Sequence, residues 1–371
     1  MTRVFFAGGG TGGHLYPGLA IARALVRLDP SVRPFFVGAR RGIERDVLPT
    51  TEFPHSLLDL HPLYRRQPWR NWRTLRGLAT AWRGIGRLAR GEAPALVVAT
   101  GGYAAGAMLG WSAAHRVPYV IHESNSHPGI TTRVFARRAR EVLLGFPEAA
   151  RHLSPGRETE IVDAGNPIEP PPSPRPDRAA ARARWGFPER GGRVLLVFGG
   201  SQGARALNEV VERWLERGGP PEGVYVIWAT GKGTYDRFAG HESPRVRVRP
   251  YLAPIADAYA AADFALTRAG AMTTAEVCAW ELPAVLVPLP TAAADHQTAN
   301  ARSLAEAGAA LHVPQRELGA ERLDALVREL ATDDARLAAL AAGARARARP
   351  RAADEIARRL LNLVRHNDLR S

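Results

Sequence analysis

Ten short apolar runs, in two groups of five separated by helix-length amphipathic stretches, constrain this chain more than any other feature. The first group lies at residues 3–8, 33–38, 94–101, 117–123 and 141–146, the second at 193–200, 224–231, 246–252, 263–268 and 283–289. A strand that is apolar on nearly every residue is buried on both faces, and such strands alternating with helices form parallel sheets covered on both sides. Two sets within 371 residues predict an α/β chain of two doubly wound, Rossmann-like domains. The segment GNPIEPPPSPRPD at 165–177 separates them, because six prolines in thirteen residues make a stiff, extended connection foreign to a sheet interior. Residues 320–366 are rich in Ala, Arg, Leu and Glu and read as helices.

Both sets open alike, with a strand, a glycine loop and a helix start. FFAGGGTGGHLYPG at 5–18 contains Gly8-x-Gly10-x-x-Gly13, the spacing of the dinucleotide fingerprint. That fingerprint calls for an acid after the second strand, where VGARRG instead places Arg40 and Arg41. Those arginines suit a 2′-phosphate, so an NADP-dependent oxidoreductase stays open as an alternative. His14 stands where the loop meets the helix. It either packs there, or accepts a proton from a substrate that the bare glycines admit. Pro17 is expected in the first turn of the helix, where its missing N–H costs nothing. The second loop, GGSQGAR at 199–205, brings Ser201 and Gln202 to another helix start, whose dipole favours phosphate. Such loops, at the switch points of two sheets, predict a ligand in a cleft between the domains.

In TRAGAMTTAEVCAWELP (267–283), Thr273-x-x-Glu276 fits a capping box, in which the glutamate bonds the cap N–H. It equally fits a carboxylate that accepts the two adjacent hydroxyls of a ribose. DHQTAN (295–300) opens a further helix with side chains suited to a sugar. No metal site is expected. HExxH is absent, His122-Glu123 has no second histidine at the right spacing, and Cys278 is the single cysteine, which also rules out a disulfide within the chain.

A net charge of +14 points to an anionic partner, although a GC-rich genome accounts for much of the arginine. The charge concentrates in residues 60–91, which hold eight arginines and no acid. Trp69, Trp72, Leu75, Leu78, Trp82, Ile85 and Leu88 recur there at roughly helical spacing, among Arg70, Arg73, Arg76, Arg83 and Arg87. Such a segment either lays its apolar stripe on a sheet or lies on an anionic membrane surface. Nothing resembles a nucleic-acid module, so no nucleic acid is expected as a partner. No apolar run approaches the ~18 residues of a spanning helix, and MTRVFF enters a strand directly, leaving no room for a signal peptide. The chain is therefore expected to be cytoplasmic and, where 60–91 lies on a membrane, peripheral on the cytoplasmic side of the plasma membrane.

The motifs GGGTGGHLYPGLA, TGGYAAG, HESN, GNP, GGSQGARALN, TRAGAMTTAE and DHQTANA, in that order, resemble the MurG family of peptidoglycan N-acetylglucosaminyltransferases over nearly the whole chain. The resemblance implies the two-domain GT-B fold, with an acceptor and membrane-associating domain over 1–164 and a UDP-GlcNAc-binding domain over 165–345. A last helix, from about 346 to 371, would pack back on the first domain. It implies inverting transfer of GlcNAc from UDP-GlcNAc to lipid-linked muramyl-pentapeptide, without a cofactor or a tightly bound metal. By the same resemblance Glu276 takes the ribose hydroxyls and the Leu252 backbone the uracil. Ser201 and Gln202 take the diphosphate, with Ala271, Met272 and Thr273 at the helix start beside it, and His296 and Gln297 take the GlcNAc hydroxyls. Thr11, Gly12, Gly13 and Asn125 complete the site from the other domain, with His14 the candidate base. The family commonly carries an arginine two residues after GNP, whereas this chain has Glu169. Either another cation, Arg268 or Lys232, then takes that role, or the contact is absent.

Overall fold

The computed structural model describes residues 2–60, 69, 71–200 and 203–368, apart from the side chains of 71, 73–75, 367 and 368. The chain divides into two units, one formed by Met1–Ile168 with Arg351–Ser371, the other by Glu169–Pro350. The first break falls inside the proline-rich connection, four residues beyond the sequence-based boundary. The second falls five residues later than expected.

The first unit is built on seven parallel strands: β1 (Thr2–Gly8), β2 (Val32–Ala39), β3 (His55–Leu58), β4 (Leu96–Gly101), β5 (Tyr119–Glu123), β6 (Glu141–Leu144) and β7 (Glu160–Asp163). Their order is β3-β2-β1-β4-β5-β6-β7. Side chains alternate across the pleat, so Val4 and Phe6 enter one core and Phe5 and Ala7 the opposite one. On the Phe6 side the sheet is covered by the helices Gly12–Leu28 and Ala352–Asp368. Ile356, Ala357, Leu360, Leu361 and Val364 are buried there, and Arg359 bonds Glu141 at the start of β6 through Nε (2.8 Å) and Nη2 (3.1 Å). The Phe5 side is covered by Asn71–Gly91 and Gly102–Ala114.

The second unit repeats the plan with β8 (Arg193–Phe198), β9 (Val224–Ala229), β10 (Val246–Arg249), β11 (Phe264–Thr267), β12 (Ala284–Leu286) and β13 (Leu311–His312), in the order β10-β9-β8-β11-β12-β13, again all parallel. The order reverses beside β8 as it does beside β1, and each reversal is a place where loops diverge and a ligand can enter. Asp263, just before β11, is buried and accepts from the Val194 amide (2.7 Å) and Arg182 Nη2 (2.6 Å), which ties the sheet to the helix Arg178–Arg184.

All ten apolar runs contain strands, but β3, β7 and β13 were not anticipated. Each lies at a sheet edge and none has a fully buried residue, so none shows the continuous apolar run that marks an interior strand. Pro17 also departs from expectation. The helix starts at Gly12, so Pro17 lies beyond its first turn and supplies no N–H to the Gly13 carbonyl.

Candidate active site

In a parallel sheet every strand ends on the same edge, and the residues singled out from the sequence cluster just past those ends. In the first unit Thr11, Gly12, Gly13 and His14 follow β1, and Asn125 follows β5. In the second unit Leu252 follows β10, Ala271, Met272, Thr273 and Glu276 follow β11, and His296 and Gln297 follow β12. Ser201 and Gln202 lie outside the described residues.

The β1 loop is held from two directions. Thr100 Oγ1, in β4, donates to the His14 carbonyl at 2.6 Å, and the Gly9 amide donates to the Gly101 carbonyl at 3.3 Å. Gly102 approaches so closely that a β-carbon there would stand 2.1 Å from the Gly9 carbonyl oxygen, and its φ of +81° independently favours glycine. The GGGTGGH and TGGY motifs are therefore two halves of one backbone contact. From the other side comes Glu44, fully buried, whose carboxylate accepts from the Gly10 amide (2.8 Å) and the Ala39 amide (3.1 Å). Gly9, Gly38 and Gly42 line this side chain, and a β-carbon on any of them would collide with it. The loop thus binds an anion, but the anion belongs to the protein.

His14 is half-buried at the head of the Gly12–Leu28 helix. Its Nδ1 lies 3.2 Å from the Gly9 carbonyl, which can only accept, so Nδ1 carries the proton, and in the neutral ring the lone pair falls to Nε2. Thr11 Oγ1 stands 3.3 Å from the same Nδ1. A β-carbon at exposed Gly13 would meet nothing closer than Thr11 Oγ1 at 3.9 Å, so packing does not demand glycine there. Asn125 is oriented by the buried Glu123, which accepts from the Asn125 amide (3.1 Å) and side chain (3.4 Å). The same carboxylate takes the Gly129 amide (3.0 Å) and Thr132 Oγ1 (2.6 Å).

In the second unit the capping-box reading of Thr273-x-x-Glu276 is overturned. The helix Ala271–Ala279 begins two residues before Thr273, its cap residue is Gly270, and Glu276 bonds the Tyr259 hydroxyl at 2.8 Å. Glu276 points away from the role of a cap and is available for a ligand. Burial pushes its carboxyl above the ordinary range, the Tyr259 hydroxyl partly offsets this, and the charge of Glu169 adds to the rise. Glu169, at the position of the family arginine, therefore acts on Glu276 in the opposite electrostatic sense. Arg268 does not replace that arginine. It is buried, with Nη1 on the Val287 and Pro288 carbonyls (3.1 Å each) and Nη2 on Gln315 Oε1 (2.7 Å), where it braces the end of β12. The Lys232 ammonium lies 5.6 Å from the ring centre of Tyr251, beside Leu252.

Gln297 Oε1 accepts from the Leu289 amide (3.0 Å), and His296 Nδ1 lies 2.7 Å from the Ala293 carbonyl. Ahead of them Ala294 (φ 52°) and Asp295 (φ 54°) are both left-handed, a strained approach for residues other than glycine.

The glycosyltransferase family 28 N-terminal domain matches residues 4–144 of this chain, and the family's C-terminal domain matches residues 194–356. A relative from Moorella thermoacetica is 39% identical, with 98% of this chain and 99% of the relative covered. One from Salinibacter ruber is 40% identical over 97% and 96%. This chain belongs to glycosyltransferase family 28. Both relatives are named UDP-N-acetylglucosamine–N-acetylmuramyl-(pentapeptide) pyrophosphoryl-undecaprenol N-acetylglucosamine transferase. Among solved structures, the crystal structure of Acinetobacter baumannii MurG is similar with a TM-score of 0.76 and 28% identity, covering 98% of this chain and all of that one. The two family 28 domains coincide with the two parallel sheets, the GT-B architecture expected from the sequence. The oxidoreductase alternative finds no support, and Glu44 supplies a physical reason. The Gly10 amide that a dinucleotide pyrophosphate would use is already bonded to it.

Sequence reasoning missed Glu44 and Tyr259, which hold the β1 loop and Glu276. A lone acid flanked by Gly38 and Gly42, just after a strand, was the available signal for the first. Replacing Glu44 with alanine leaves the buried Ala39 amide and the half-buried Gly10 amide without this acceptor and is expected to cost about 2–4 kcal/mol. A lowered thermal midpoint, together with reduced turnover, is the measurement; an unchanged midpoint would remove its anchoring role. The raised Glu276 carboxyl carries a pH prediction. Only the ionised form accepts two hydroxyls, so UDP affinity should fall on acidification from above the usual carboxylate range. Calorimetric titration against Glu276→Gln isolates that step. A break confined to about pH 4, where an ordinary glutamate titrates, would contradict it.

Proposed function

We propose that this chain transfers N-acetylglucosamine from UDP-N-acetylglucosamine to the 4-hydroxyl of the muramyl sugar of an undecaprenyl-diphosphate-linked muramyl-pentapeptide, with inversion. Near-full-length likeness to relatives named for that transfer carries the reading. The second unit takes the donor. Glu276 receives the ribose hydroxyls, the Leu252 backbone the uracil, and His296 and Gln297 the sugar hydroxyls. The starts of the helices Arg205–Glu216 and Ala271–Ala279 have no acid in their first turns, which suits a diphosphate there, with Ala271, Met272 and Thr273 beside it. The first unit takes the acceptor, with Thr11, Gly12, Gly13 and Asn125 around it. His14 Nε2 removes the proton of the acceptor hydroxyl as its oxygen bonds the anomeric carbon. The bond from that carbon to the diphosphate oxygen breaks in the same displacement, and UDP leaves with the electron pair.

The first unit also meets the lipid. Along Asn71–Gly91 the apolar residues divide. Ala81 and Ile85 are buried against the sheet, while Trp72 (56%), Leu78 (41%) and Trp82 (36%) are exposed, as is Trp69 (72%) just before the helix. Packing alone explains only the first pair. Arg76, Arg83, Arg87 and Arg90 are exposed around them, whereas the side chains of Arg73 and Leu75 lie outside the described residues. The patch continues onto the helix Ile130–Phe135. Trp82 and Phe135 both come within 4 Å of where a β-carbon would stand at Gly110, and Ile130 (52%) and Val134 (62%) are exposed beyond. Tryptophan with arginine suits the headgroup layer of an anionic membrane at its cytoplasmic face. Among the described residues no helix is long and apolar enough to cross it.

GlcNAc transfer from UDP-GlcNAc to a lipid-linked muramyl-pentapeptide analogue tests the reaction. His14→Ala should lower kcat by ~10²–10⁴, the range for loss of a general base, and leave UDP affinity unchanged. Near-normal turnover would return His14 to packing. Sedimentation with anionic vesicles tests the surface. Trp72→Ser combined with Val134→Ser should weaken vesicle binding about tenfold or more, and equal retention of the two proteins would refute the patch.

A further inference from the structure

Tyr259 is a buried polar side chain that the proposed reaction leaves unused. It lies on the helix Ile255–Ala261, and its ring sits between Phe198, at the end of β8, and Trp280, with centroids 5.9 and 5.5 Å away. The residue is 3% exposed. A phenol buried that deeply needs a partner for its hydroxyl, and the partner is Glu276 Oε2 at 2.8 Å. Among the described residues nothing donates to Glu276 Oε1. A carboxylate offers about four lone-pair positions, so one bond from Tyr259 leaves capacity for two further hydroxyls.

A glutamate near a helix start has several rotamers, and choosing one when a ligand arrives costs entropy that lowers affinity. The Tyr259 hydroxyl makes that choice in advance, because its ring cannot move without displacing Phe198 or Trp280. We propose that Tyr259 is the positioning residue that aims Glu276 at the cis-diol of the donor nucleoside, and so sets preference for a ribose over a 2′-deoxyribose. This rests on the reading of Glu276 as the ribose acceptor. Burial and then the Glu276 charge hold the Tyr259 phenol well above its ordinary range, so it remains a donor throughout the working pH range.

The experiment measures binding of UDP and 2′-deoxy-UDP to the full chain and to Tyr259→Phe and Glu276→Gln, with a thermal melt of each. Tyr259→Phe keeps the ring and should stay folded, its melt lowered only by the loss of one hydrogen bond. Its UDP affinity should fall about five- to tenfold, the order of one ordinary hydrogen bond. Its affinity for 2′-deoxy-UDP should change less, so the ratio of the two falls, while in turnover KM for the donor rises and kcat holds. Glu276→Gln should lower the same ratio. A ratio that falls in Glu276→Gln and stays at the parent value in Tyr259→Phe would overturn the positioning role alone. A ratio unchanged in both would overturn the ribose reading and this inference with it. A purely structural Tyr259 would alter the melt and leave the ratio where it was.

Discussion

Each unit carries one close backbone-to-backbone contact between neighbouring strand ends, in the first at the point where the sheet reverses order and in the second on the opposite side of β8 from that point. In the first, Gly102 after β4 presses against the Gly9 carbonyl after β1. In the second, Gly203 after β8 presses against the Thr230 carbonyl after β9, where a β-carbon would stand 2.3 Å from the oxygen. A side chain at either position would force two neighbouring strand ends apart. Because the strands are parallel, that displacement would pass to the helix starts that follow, which carry His14 in the first unit and Arg205 in the second. The glycines therefore serve first to let strand ends touch and only then to admit ligand.

The electrostatics follow from the same crowding. Backbone amides converging on a loop attract an anion, and in the first unit Glu44 supplies it from within. The β1 loop is thereby fixed without a cofactor, and its remaining polar edge belongs to Thr11, Gly13 and His14. In the second unit the amides of the helix starts stay clear of acids, and the acid of that site, Glu276, is drawn to Tyr259 instead. One unit thus carries its own anion, while in the other the helices Arg205–Glu216 and Ala271–Ala279 have no acid in their first turns. This asymmetry between two domains of the same topology suits a reaction with one nucleotide substrate.

Much of this was legible in the chain. Interior strands announce themselves because burial on both faces demands an unbroken apolar run, and the paired strand–glycine–helix openings follow from parallel topology. The edge strands β3, β7 and β13 did not, since a half-exposed strand has no such demand. Thr273-x-x-Glu276 has the spacing of a cap, yet the helix begins earlier because Gly270 takes the cap position. The amphipathic stretch 60–91 showed an apolar stripe at helical spacing, but which residues of the helix Asn71–Gly91 face the sheet depends on the neighbouring Gly102–Ala114 helix.

The sequence by itself determined the two doubly wound units, the break between them, the glycine loops and the residue types of the site. All of these depend on local pattern, on the period of burial and on what a peptide without a side chain can do. Tertiary structure alone decided that Glu44 anchors a loop 34 residues away, that Tyr259 holds Glu276 and that Arg268 is occupied by carbonyls. It also decided that Trp72 and Trp82 face outward while Ile85 does not. These are pairings between residues distant in the chain. A buried polar group must find a partner, but only the packing of the sheet edges determines which partner is within reach.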